Sequence, residues 1–228
     1  MFLAQTFAEK ELVIFNTAEI PLVLGKTLEE DPQVRLVNQS TTATRKPFTS
    51  LGEVRNAAID HADGDLFVCW DDDDLFLPHH LEQSFERWSA CGSMAWKPER
   101  SLFSSDGGKS FRYASNSMEA SILVDMTFVR LHGFSTEQSG AEHVQGAWLD
   151  VAKRENQLTI ESVTPLESYG YVWGDGLAKT SGNIDHPDNF ENHKKASQDF
   201  GEGIPLEPIA FEELLPMIEA AQAVGKSS

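Results

Sequence analysis

Four consecutive aspartates, Asp71 to Asp74, stand between the apolar run Leu66-Phe67-Val68-Cys69-Trp70 and Leu75-Phe76-Leu77-Pro78. Adjacent like charges repel by roughly 1 kcal/mol per close pair even in water, so a fold that gathers them beside a buried strand calls for a cation. Hard divalent ions take oxygen ligands, and Mg²⁺ or Mn²⁺ is commonly held by one or two carboxylates together with the phosphates of a substrate. The pattern therefore predicts a metal and nucleotide site at the carboxyl end of a strand, where open α/β sheets bind ligands. The competing account is a solvated acidic turn that caps a helix starting near Pro78.

The elements that must position these carboxylates follow from apolar spacing. The β-branched and aromatic run over residues 11–15 predicts a buried strand that exits at Asn16, and Val34-Arg35-Leu36-Val37 predicts a second. Leu51, Val54, Ala58 and Ile59 recur at helical spacing behind Ser50, a good N-cap, so residues 51–62 form a helix feeding the strand over 66–70. This strand–helix–strand alternation implies a mainly parallel sheet flanked by helices. Further helices are expected over 78–88, from the end of the 117–124 strand to Leu131, over 142–154 and over 211–223, with strands over 117–124 and 158–160. The Ser- and Gly-rich stretch 97–109 predicts a hairpin or a surface loop. Residues 1–182 are expected to form the domain, with a polar segment and C-terminal helix over 183–228 packed on it.

Composition narrows the partners. The 228 residues carry a net charge of −18 and no Lys/Arg run, which opposes nucleic acid and anionic lipid. Cys69 and Cys91 are too few for a disulfide framework, and neither a signal sequence nor a membrane-spanning apolar stretch is visible, so a cytoplasmic location is expected. The sequence contains no Gly-rich phosphate loop, no Cys-x-x-Cys and no Gly-x-Ser-x-Gly elbow.

From Leu51-Gly52-Glu53-Val54-Arg55-Asn56 through Ala62-Asp63-Gly64-Asp65-Leu66 to Trp70, the four aspartates and Pro78, the chain resembles family 2 glycosyltransferases of the GT-A fold. In that family a helix bearing Gly and Arg-Asn leads through an Ala-x-Gly turn into a strand ending in an Asp-x-Asp-Asp motif. Ala4-Gln5-Thr6-Phe7 resembles the family's Gln-Thr-aromatic turn, and Gly133-Phe134 with Gly140-Ala141-Glu142-His143 resembles its acceptor-side segment. The resemblance implies a Rossmann-like GT-A sheet and transfer, with inversion, of a sugar from a nucleoside-diphosphate donor to a hydroxyl of a glycan, lipid or protein acceptor.

It also implies roles. Asp73 would ligate Mn²⁺ or Mg²⁺, and Asp71 would face the ribose or the metal. Asp72 and Asp74 would support them by hydrogen bonding or capping, or else lie in solvent. Arg55 would lie near the nucleotide, or in a surface ion pair. Asn16 stands where the family commonly has an acidic residue contacting the base. Glu142 aligns with the family's acidic pair and would take the proton from the acceptor hydroxyl, with His143 in the second position as the other candidate base.

Two departures accompany the resemblance. The chain begins near the end of the family's first helix, which implies an N-terminally shortened domain with an open sheet edge and self-association through it. Lys179 stands where the late Tyr171-to-Gly182 segment of the family often carries His. These departures favour a second account, a non-catalytic GT-A-like domain with residual metal or nucleotide binding. Metal-dependent phosphoester hydrolysis ranks last, because no second acid/His cluster suited to two metals is visible.

Overall fold

A computed structural model describes residues 1–104, 106–115, 119–136, 147–163, 167–172 and 209–210. After a 3-10 turn at Phe2–Ala4 come β1 (Leu12–Asn16), α1 (Lys26–Glu29), β2 (Val34–Asn38), α2 (Leu51–Ile59), β3 (Leu66–Phe67) and β4 (Leu75–Phe76). Then follow α3 (His80–Cys91), β5 (Ala95–Pro98), β6 (Arg100–Ser104), β7 (Ser110–Ser115), β8 (Leu123–Asp125) and α4 (Met126–His132). The last described elements are α5 (Ala147–Arg154), β9 (Leu158–Glu161), β10 (Tyr169–Val172) and β11 (Ile209–Ala210). They fall into two compact units: Met1–Ala8, Val68–Leu123 and Leu158–Ser228 in one, Glu9–Phe67 and Val124–Gln157 in the other. The boundary expected at residue 182 and the helix expected over 211–223 lie outside the described residues.

In the unit of Glu9–Phe67 and Val124–Gln157, β1 and β2 pair in parallel from Leu12 opposite Val34 to Asn16 opposite Asn38. Helix α2 forms where the spacing predicts because its start is doubly capped. Ser50 Oγ accepts from Glu53 N at 3.1 Å, and the Glu53 carboxylate reaches back to accept from Thr49 N at 2.6 Å. At the other end, the Arg130 guanidinium of α4 donates to the carbonyl of Ala62 at 2.6 Å, satisfying an acceptor in the turn that follows α2. β3 pairs antiparallel with β8, Leu66 opposite Asp125.

In the other unit, a five-stranded sheet runs β11-β7-β6-β10-β4. β10 lies parallel to β6 and antiparallel to β4, while β6 and β7 form an antiparallel hairpin. The stretch expected as hairpin or loop is thus the hairpin, and Asp106 organises its turn. Its carboxylate accepts from Lys109 N and Ser110 N, both at 3.0 Å, and from the Ser104 and Ser110 hydroxyls. Burial pushes that carboxyl up, yet these donors outweigh it and hold the pKa at about 2. β5 and β9 pair in parallel here, with the Glu161 carboxylate bridging Trp96 Nε1 and Arg87. Leu77, Leu102, Phe111 and Val172 make a buried apolar cluster under the five-stranded sheet.

Parallel and antiparallel pairs therefore occur together, giving a mixed α/β architecture in which strand–helix alternation accounts for β1 and β2. Two expected strands are shorter than their apolar runs. β3 ends at Phe67 rather than Trp70, and Trp70 instead stacks on Phe76, ring centroids 3.9 Å apart at 16°. β8 covers only Leu123–Asp125, because a 3-10 turn at Glu119–Ser121 takes the start of the expected run and the Asp125 carboxylate, accepting from Phe128 N at 2.9 Å, starts α4 at the next residue. The helix expected over 142–154 is described from Ala147, and the one expected from Pro78 begins at His80.

His80 is fully buried among the rings of Trp70, Phe76 and Tyr169, with Nδ1 3.0 Å from Ser168 Oγ. Burial, reinforced by the charge of His79, lowers its pKa from 6.5 to about 3. The unfolded chain takes up this proton near 6.5 and the folded chain only near 3, so the contribution is complete above 6.5 and declines as pH falls toward 3. We expect stability to drop by up to about 1.4 kcal/mol per pH unit across that window on this account. His80→Gln should flatten the slope in urea denaturation at pH 7, 6, 5 and 4. An unchanged slope would assign the acid sensitivity to other groups.

Candidate metal and nucleotide site

The four aspartates occupy the turn that leads into β4, a position suited to Asp because its short carboxylate tolerates turn geometry. Their environments differ. Asp72 is exposed, Asp71 and Asp73 are half-buried, and Asp74 is only 3% exposed. Asp74 Oδ2 accepts from the Tyr169 hydroxyl at 2.5 Å and Oδ1 accepts from Val172 N at 3.1 Å, so both oxygens face β10. Burial, then the charge of Asp74 and its hydrogen bond, push the Tyr169 phenol far up. Tyr171, two residues on and stacked on Phe103, is also pushed up by burial and then by the charges of Asp74, Asp73 and Asp71. Three carboxylates of the run thus act on one tyrosine.

The segment after β4 is fastened by the N-terminal turn of the same unit. Gln5, 4% exposed, donates Nε2 to the Leu77 carbonyl at 2.8 Å and accepts from Leu81 N at 3.0 Å. Thr6 donates its backbone N–H to Pro78 O at 2.8 Å and its hydroxyl to Glu82 at 2.6 Å. The N-cap residue His79 makes no side-chain capping bond, so Gln5 supplies the capping acceptor from a distant part of the chain. This places the resemblance's Gln-Thr turn against the segment that follows the carboxylates.

The donor set fits a hard divalent cation. Among the described residues no group of three or more His, Cys, Asp and Glu could hold a metal by itself. Two carboxylates completed by substrate phosphates are the usual arrangement for Mg²⁺. Asp71 and Asp73 are the residues that would hold it, since Asp74 is turned toward β10.

Arg55 and Asn16 belong to the other unit. There the motif positions of α2 face the segment Gly133–Ser135. Gly52 passes so close that an added Cβ would overlap the Ser135 carbonyl. Asn56 Nδ2 donates to Phe134 O at 3.0 Å and its Oδ1 accepts from Phe134 N at 2.8 Å. The Arg55 guanidinium lies over the Phe134 ring at 5.3 Å. Gly133, at φ +67 and ψ −177, has a positive-φ extended conformation that favours glycine, and it ends α4 and starts this segment. Asn16 donates Nδ2 to Ile20 O and to Asn38 Oδ1, and accepts from Ala18 N. Its amide holds the loop after β1. Glu142 and His143, like Lys179, lie outside the described residues.

Sequence reasoning missed Tyr169, and with it β10. The alternation Tyr169-Gly170-Tyr171-Val172 is the period-two signal that marks it. It also left Asn56 without a role. A helix-interior Asn, whose side chain competes for backbone groups, was the available hint.

Residues 4–114 match the family model described as "Glycosyl transferase family 2". Among solved structures, S. aureus TarS residues 1–349 in complex with UDP superposes with TM-score 0.57 at 13% identity, covering 75% of this chain and 54% of that one. The same TarS fragment in complex with UDP-GlcNAc gives TM-score 0.55 at 13% identity, covering 90% of this chain and 62% of that one. The likeness shows the GT-A fold, and the chain spans between half and two thirds of these TarS structures. No curated protein matches the sequence.

Removing the Asn56 amide leaves the buried Phe134 N–H and carbonyl without these partners. Asn56→Ala should lower stability by about 1–3 kcal/mol and speed hydrogen exchange at Phe134. Wild-type exchange at that amide in the variant would show that the two bonds do not hold the segment.

Proposed function

We propose that this chain, whose residues 4–114 belong to glycosyl transferase family 2, transfers a sugar from a nucleoside-diphosphate donor to a hydroxyl acceptor with inversion. The observation that carries the reading is the graded aspartate turn within the family segment: Asp74 is buried and bonded to β10, while Asp71 and Asp73 are half-buried. A divalent cation held by Asp71 and Asp73 would act as a Lewis acid toward the departing diphosphate. Asp72, exposed beside them, would contact the donor.

In the transfer itself the acceptor oxygen forms a bond to the anomeric carbon, and the bond from that carbon to the diphosphate oxygen breaks with its electron pair. The acceptor proton passes to Glu142, with His143 the neighbouring alternative base. Arg55 and Asn16 would serve the nucleotide side. For Arg55 this means acting from its seat over Phe134, and for Asn16 by shaping the loop after β1 and offering Oδ1. UDP, the nucleotide bound in one TarS structure, is the natural probe. The observation favouring a non-catalytic nucleotide-binding domain is that Asn16 stands in place of the family's acid with its amide donors engaged.

Calorimetric titration with UDP should give binding in Mn²⁺ or Mg²⁺ and little in excess chelator, because the carboxylates otherwise repel the diphosphate. Equal affinity in chelator would refute the metal bridge. Asp73→Ala should remove the metal dependence and leave the fold intact, and an unfolded variant would instead assign the run a structural role. Glu142→Gln should lower turnover by about two to four orders of magnitude, the usual contribution of a positioned base, while donor affinity holds. Full transfer by that variant moves the proton acceptance to His143. Binding without transfer by the wild-type chain, over a panel of acceptors, would favour the binding domain.

A further inference from the structure

Resting on that reading, we infer that Asp74 and Tyr169 are positioning residues that hold Asp71 and Asp73 ready for the cation. The four aspartates are chemically identical, and their roles separate by geometry. β4 pairs with β10 through Phe76 opposite Tyr169 and Leu75 opposite Gly170. Continuing that antiparallel register sets Asp74 opposite Tyr171, one residue before β4 begins. The side chain takes over from the ladder there. One carboxylate oxygen receives Val172 N, and the other receives the Tyr169 hydroxyl from the strand residue facing Phe76.

Tyr169 is itself immobilised. It is 1% exposed, its ring lies against Phe76 at 5.3 Å between centroids, and it neighbours the buried His80. The first residue past the metal-side carboxylates is thus tied at both oxygens to a rigid strand. Asp71 and Asp73 carry like charge, and the tie at Asp74 limits how far the turn that bears them can spread. Without it a cation would have to gather them, which lowers its apparent affinity. Asparagine cannot replace Asp74, because its amide has one oxygen for two donors and would turn an N–H toward one of them.

The test is calorimetric titration of UDP into the 228-residue chain across a Mn²⁺ series, comparing wild type, Asp74→Asn and Tyr169→Phe. Circular dichroism confirms the folded fraction of each. The variants should need roughly tenfold more Mn²⁺ for half-maximal UDP binding, the scale of one charge-assisted hydrogen bond. UDP affinity in chelator should not change. A purely structural role would lower melting temperature and leave the Mn²⁺ midpoint of the folded protein where it was, and that result overturns the inference. Tyr169→Phe keeps the charge of Asp74 and removes one bond, so it decides the matter if Asp74→Asn does not fold. Wild-type protein whose UDP binding ignores Mn²⁺ overturns the metal reading and this inference together, whereas a shifted wild-type curve with unshifted variants overturns this inference alone.

Discussion

The Asp74 carboxylate, held between the Tyr169 hydroxyl and the Val172 amide, is the interaction on which the candidate site depends. Burying a carboxylate is costly unless donors replace the lost water, and here two do so from adjacent parts of one strand. The aromatic surround of Trp70, Phe76, His80 and Tyr169 keeps water away from the bond and so strengthens it. The same burial that stabilises this anchor also raises the Tyr169 phenol and depresses His80. One packed cluster therefore sets the charge state of its members and the direction in which the acidic turn leaves the sheet.

In the other unit, the Gly-Arg-Asn face of α2 performs a comparable service for a different segment. Its three motif residues do separate work: Gly52 provides space, Arg55 supplies a cation over a ring, and Asn56 completes backbone hydrogen bonding. Asn56 satisfies both backbone groups of Phe134, whose side chain is buried against Phe67 and Trp148. In this chain the motif also fixes one tertiary contact. The Asn16–Asn38 pair at the ends of β1 and β2 does similar work on the loop through Leu22.

Much of this was legible in the sequence where the determinants are local. The helix start at Ser50 and Glu53 is written within four residues, and β1 and β2 announce themselves by β-branched content. Strand ends were not legible, because a strand stops where its partner stops. β8 gives way to α4 as soon as Asp125 caps it, and β3 ends while its apolar run continues into Trp70. The acidic cluster could be read from four aspartates, yet the difference in burial and bonding among them could not. It is set by Tyr169, 95 positions away, and no spacing rule within the run distinguishes Asp74 from its neighbours.

The capping of α3 by Gln5 has a kinetic consequence. Its acceptor lies 76 positions from Leu81, so the first turn of that helix cannot be completed by its own sequence during early collapse. Nucleating a helix is unfavourable in isolation, and α3 gains its missing acceptor only when the amino-terminal turn has closed a long loop back onto it. Such non-local dependence raises contact order and slows the productive search. The ordering of α3, and of the segment that joins it to the carboxylates, therefore belongs to the late, cooperative part of folding.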